Sequence, residues 1–134
     1  MTLEKETISK GFIIAGLMNM SVLAFSRLFT NPVIAEYDPV VMSNFGLLMI
    51  VVWGLAYMSV AKNYQHVKWL VAVFAIEKFI YGFICIQWML SNNISTVFAK
   101  DKMAGAFYAT YGVNDWVFCI FFLLVFIKLF KAKD

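Results

Sequence analysis

Two dipeptides carry charge where charge is costly. Glu77 and Lys78 interrupt the apolar run from Val67 to Leu90, and Asn114 and Asp115 interrupt another from Met103 to Phe130. Asn19 does the same between Gly11 and Phe29. If these runs lie in lipid, each charged side chain at mid-bilayer costs about 2.5 to 3.5 kcal/mol, so the groups must face protein or a water-filled cavity. Counting inward at about 1.5 Å per residue puts Asn19 and Glu77 about 12 to 15 Å deep and Asp115 about 18 to 22 Å deep, which is roughly one layer. Adjacent helical residues point about 100° apart, so Glu77 and Lys78 address different neighbours. Lys78 is expected to pair with Asp115, leaving Glu77 to Asn19, Asn114, a tyrosine hydroxyl or water.

Such a layer suits three kinds of chemistry. Lining a wet path, it conducts or binds a small ion or solute. Sealed by its own pairing, it is polar glue in a structural or accessory membrane subunit. As an acid/base pair, Glu77 and Asp115 belong to a lipid-modifying enzyme. Glu77, Tyr81 and Trp88 share one helical face, and Tyr108, Tyr111, Asp115 and Cys119 share another. A cavity walled by Tyr81, Trp88, Tyr108 and Tyr111, with carboxylates at its floor, suits a small cation or an amphipathic ligand.

The elements that position these residues follow from composition. The 134 residues are 63% hydrophobic and 14% charged, with a mean hydropathy of +0.80. Soluble domains are about 45 to 50% apolar and about 25% charged, and so short a chain cannot hide that excess. Its solvent is therefore expected to be lipid.

A membrane helix needs about 20 mostly apolar residues, and runs over about 11–29, 40–61, 67–90 and 103–130 qualify. Asn31-Pro32 is expected to stop the first run and Asp38-Pro39 to precede the second. The prediction is an all-α, polytopic membrane protein, a four-transmembrane-helix bundle forming one domain over residues 1–134. A cleaved signal peptide ending near Val33-Ile34-Ala35 is the competing reading of the first run, and Asn19 and Arg27 within it argue against that.

Orientation follows from the basic residues beside the runs. Lys5, Lys10, Lys62, Lys68, Lys128, Lys131 and Lys133 fall on one side, against Arg27, Lys100 and Lys102 on the other. Both termini are thus expected in the cytoplasm, with Glu36 and Asp38 in an outer loop, in a multi-pass protein of the cell membrane. Tyr64 and Trp69 are placed in an inner aromatic belt, and Tyr37, Trp88 and Tyr108 in an outer one. Small residues mark the packing faces: Gly11, Ala15, Asn19, Val22 and Ser26 on the first helix, and Ser43, Gly46, Ile50 and Gly54 on the second. Cys85 and Cys119 fall in opposite halves of the membrane, so no disulfide is expected between them.

Several function classes lose support. The single histidine, His66, sits in a short loop, and no His-Glu-x-x-His pattern, metal-ligand cluster, glycine-rich phosphate loop or Gly-x-Ser-x-Gly elbow occurs. No cofactor, metal or nucleic-acid partner is expected. The expected partners are membrane lipids and a second copy or another membrane protein.

Asn19, the segments Phe45-Gly46 and Gly54-Leu55-Ala56-Tyr57, Glu77-Lys78-Phe79, and Asn114-Asp115 ahead of Phe121-Phe122 together carry a resemblance. The chain resembles small bacterial four-helix membrane proteins of DoxX-like size. That group usually has Gly-Asp where this chain has Asn114-Asp115. The resemblance implies a four-helix bundle in the bacterial inner membrane and carries no known chemistry with it.

Overall fold

The computed structural model describes residues 4–132; Lys133 and Asp134, the end of the basic tail, lie outside the described residues. The described chain is all α, without strands. Its helices are α1 (Lys5–Met20), α2 (Val22–Phe25), α3 (Pro32–Tyr37), α4 (Asn44–Val60), α5 (Lys68–Ser91), α6 (Ile94–Lys100) and α7 (Lys102–Lys131), with a short 3-10 turn at Tyr64–His66.

Three stretches are long and apolar enough to cross a membrane: Lys5–Phe25, which runs through α1 and α2, then Lys68–Ser91 and Lys102–Lys131. The fourth apolar helix, α4, has 17 residues, which is about 26 Å of rise and the lower limit for a crossing. Large apolar side chains cover the outward faces; Leu17, Leu55, Ile76, Phe79, Val113 and Ile120 are 50% to 67% exposed. Outward faces of this kind are compatible with an apolar solvent, while Asn19, Glu77, Lys78 and Asp115 are buried between the helices.

Short polar side chains start the helices. Asn31 accepts from the Val33 N–H at 3.1 Å, Ser43 from Gly46 at 3.1 Å, Asn93 from Ser95 at 2.9 Å and Asp101 from Ala104 at 2.9 Å. Each satisfies a backbone donor that has no partner within its own helix.

The structure corrects three boundaries. Asn31-Pro32 begins a helix, because proline at the first helical position sacrifices only an orphan N–H. The first helix breaks at Ser21, whose hydroxyl donates back to the Met18 carbonyl at 2.5 Å, and it ends at Phe25 rather than Phe29. Beyond it Arg27, Leu28 and Phe29 all have positive φ (50°, 55° and 66°), a strained left-handed turn costing about 1–2 kcal/mol per residue. The second helix starts at Asn44 rather than Val40, because Ser43 caps it. The segment after Leu90 is also not all loop, since α6 forms within it.

The left-handed turn is tied to the start of α7 by Asp101. Its carboxylate accepts from Arg27 at 2.8 Å and from the Asn31 amide at 2.7 Å, besides capping Ala104. A second tie joins Glu36 to Lys100 across the same loops. The Asn31 amide, the Ala104 N–H and the Arg27 guanidinium together hold the Asp101 carboxyl below the usual aspartate range. A carboxyl depressed on folding adds stability that is complete above its unfolded value of about 3.9 and is lost as pH falls through the folded value. Thermal melts in detergent should therefore show a loss below about pH 4 that Asp101→Asn lacks, and Asp101→Ala should cost about 0.5 to 2 kcal/mol at neutral pH as a lost cap. Identical acid limbs for wild type and Asp101→Asn would refute this role.

The long helices pack as two close pairs, α1 with α4 and α5 with α7. At the first crossing the glycines let the backbones meet: a Cβ on Gly54 would lie 2.8 Å from Asn19 Cβ and 2.9 Å from the Gly16 carbonyl oxygen. Gly54 belongs to the expected stripe, whereas Gly16 lies outside it. Gly11, expected on that face, packs against the Phe121 ring of α7. The start of α1 thus lies beside the final half of α7, so both described ends share one end of the molecule. Larger side chains separate the pairs: Phe12, Tyr57, Phe74 and Phe122 interlock at that end, with ring centroids 4.8 to 6.4 Å apart.

Candidate functional site

The polar groups of all four long helices meet between the two pairs, and Lys78 is the hub. Its ammonium donates to Asp115 Oδ1 at 2.8 Å and to Asn19 Oδ1 at 2.7 Å, and it lies 5.3 Å from the centre of the Tyr57 ring. The Asn19 amide donates in turn to the Ile50 carbonyl at 2.9 Å, so both its ends are used. The Lys78–Asp115 pairing expected from the sequence is present, with side chains only 2% and 7% exposed.

Glu77, one position away and turned by about 100°, faces α4 instead and accepts from the Tyr57 hydroxyl. Asn114 is half-buried at the edge, its amide 3.4 Å from Asp115 Oδ1. These bonds make the layer a cross-brace: α5 is tied to α4 through Glu77, to α1 through Asn19 and to α7 through Asp115.

Beside the brace lies a cavity of about 250 Å³. Asn19, Glu77, Lys78 and Asp115 form its polar side, and Tyr81, Phe107 and Tyr111 its aromatic walls. Its mouth is lateral, because Met18 of α1 and Thr110 of α7 both line it and are both exposed. Tyr111 lines this space, while its hydroxyl is fully buried beside the Cys85 thiol and makes no other hydrogen bond.

Two of the expected cavity aromatics serve elsewhere. Trp88 and Tyr108 are stacked at 4.2 Å with their planes 11° apart. Trp88 Nε1 donates to the Tyr37 carbonyl at 3.0 Å and the Tyr108 hydroxyl to the Ile34 carbonyl at 2.5 Å. Both are at most 6% exposed, so they anchor the loop helix α3 and form neither cavity wall nor interfacial belt. Tyr64, expected in the inner belt, is likewise buried against Phe12, whereas Trp69 is exposed.

A tyrosine hydroxyl is among the partners expected for Glu77, but the sequence reading does not say which one; one more step along the Ser43, Gly46, Ile50, Gly54 stripe arrives at Tyr57. Sequence reasoning missed Phe107 and Phe25, which line the cavity. Cys85 and Cys119 are free and buried. Among the described residues no three His, Cys, Asp or Glu side chains gather to hold a metal ion. No family model matches this chain, and neither the curated proteins nor the solved structures include a match to it.

Proposed function

We propose that this is an integral membrane protein of four crossings that binds a small solute in the cavity between its helix pairs. The single observation carrying the reading is the space of about 250 Å³ itself, lined on one side by Asn19, Glu77, Lys78 and Asp115 and on the other by Tyr81, Phe107 and Tyr111. A cavity of mixed lining, with a few convergent polar groups in an apolar wall, is the usual form of a small-molecule site.

The end that gathers the described termini also carries Lys5, Lys10, Lys62, Lys68, Lys128 and Lys131, which supports a cytoplasmic placement of both. The antiparallel order of α1, α4, α5 and α7 supports four crossings, with α4 the shortest, and agrees with the resemblance to the DoxX-like group. Binding is favoured over conduction because rings close the layer on both sides: Phe12, Phe74 and Phe122 toward the termini, Trp88 and Tyr108 toward the loops. It is favoured over lipid-modifying catalysis because both carboxylates already serve the brace, Asp115 bonded by Lys78 and Glu77 by Tyr57 through one oxygen each. The same pairing favours a second reading, a structural or accessory subunit braced by its polar layer.

The test uses purified protein in detergent and three solutes with one ring and different heads: phenethylamine, phenethyl alcohol and 3-phenylpropanoate. At least one should raise the unfolding temperature by a few degrees at ten times its Kd. Thr110→Trp, which fills the mouth, should remove the effect. No shift with any of the three would favour the structural reading, and proton or ion flux in liposomes above that of empty vesicles would favour conduction.

A further inference from the structure

The lining of the cavity holds more acid than base. Glu77 and Asp115 bring two carboxylates against the one ammonium of Lys78, a formal excess of one negative charge. Each carboxylate also keeps one oxygen, Glu77 Oε1 and Asp115 Oδ2, without a protein donor, because Tyr57 and Lys78 bond only the other. The hydroxyls at the mouth add to the imbalance. Ser21 donates its proton to the Met18 carbonyl at 2.5 Å and Thr110 donates to the Ala106 carbonyl at 2.7 Å, so both turn only lone pairs to the opening.

What completes such a site is a positive charge bearing N–H donors. The aromatic walls of Tyr81, Phe107 and Tyr111 favour the same charge, since a ring face attracts a cation. The remaining wall is apolar, from Val22, Phe25 and Ile50. A bare metal ion fits poorly there, because no three acidic or ligating side chains converge among the described residues.

We propose that the solute is a small organic cation, a protonated primary amine on a short apolar or aromatic body, entering sideways between α1–α2 and α7. This rests on the solute-binding reading above. The ammonium sits near the free carboxylate oxygens, and the apolar body fills the space toward Phe25 and the mouth. A volume of about 250 Å³ limits the body to roughly a single ring with a short chain.

The same three ring solutes separate this inference from its premise when their dissociation constants are measured by calorimetry in detergent at neutral pH. Phenethylamine should bind at least ten times more tightly than phenethyl alcohol, with 3-phenylpropanoate weakest. Glu77→Gln keeps an acceptor for Tyr57 and removes one negative charge, so it should cut the amine's advantage over the alcohol about tenfold. Asp115→Asn is the second variant and should act in the same direction. Equal binding of amine and alcohol, or preference for the carboxylate, overturns the cation and leaves the cavity a site. Binding of none of the three to wild type overturns both.

Discussion

Lys78→Met should lose about 3 kcal/mol of stability, and the reason lies in what it leaves behind. The substitution keeps the helix and most of the side-chain volume, but strands Asp115, whose carboxylate is 7% exposed, without its cation. A lost interhelical hydrogen bond in a membrane protein costs on average about 0.6 kcal/mol. An unpaired charge at mid-bilayer costs about 2.5 to 3.5 kcal/mol, and breaking a buried pair from one side about 3 to 5. The stranded charge therefore outweighs the two lost bonds to Asn19 and Asp115. Asp115→Leu alone should cost a similar amount by stranding Lys78, and the double variant Lys78→Met/Asp115→Leu should recover most of the loss, because two apolar groups strand nothing. Unfolding by a sodium dodecyl sulfate titration in mixed micelles measures all three. Additive losses in the double variant would show that the two residues do not act as a pair.

The brace was legible in part. Asn19, Lys78 and Asp115 stand out because each interrupts an apolar run, and depth counted at a fixed rise per residue already places them in one layer. Charge then selects the partner, since a buried ammonium needs a carboxylate. Tyr57 is harder to see, because a tyrosine in an apolar helix carries no charge penalty and reads as one more aromatic. Trp88 and Tyr108 mislead for a related reason. Helical spacing places them on the face of Glu77 and Asp115, but whether a ring on that face lines a cavity depends on what packs over it. Here that is α3, whose carbonyls at Ile34 and Tyr37 take both polar tips. The left-handed turn at Arg27–Phe29 has no local signal, since none of its residues favours positive φ. It is held by Asp101, more than seventy residues away in sequence.

Gly54→Ala should cost about 1–3 kcal/mol even though alanine is the better helix former. Intrinsic propensity favours the substitution by about 1 kcal/mol. Against that, the new Cβ would lie 2.8 Å from Asn19 Cβ and 2.9 Å from the Gly16 carbonyl oxygen. Neither atom can swing aside by a rotamer change, so α1 and α4 must separate along the crossing, and overpacking of that kind costs more than propensity returns. Separation also draws Asn19 away from Ile50 and Lys78, the two partners of its amide. The defect at Gly54 and the loss of Asn19 are thus largely one event. Asn19→Ala should add much less to Gly54→Ala than it costs alone, a coupling that the same titration resolves. Gly11→Ala is the control, because its Cβ meets only the far edge of the Phe121 ring, which can tilt toward the outside. It should be neutral or slightly stabilising. If Gly54→Ala is as benign as Gly11→Ala, the α1–α4 crossing is not what sets the position of Asn19, and the brace must hold its register through α5 and α7 alone.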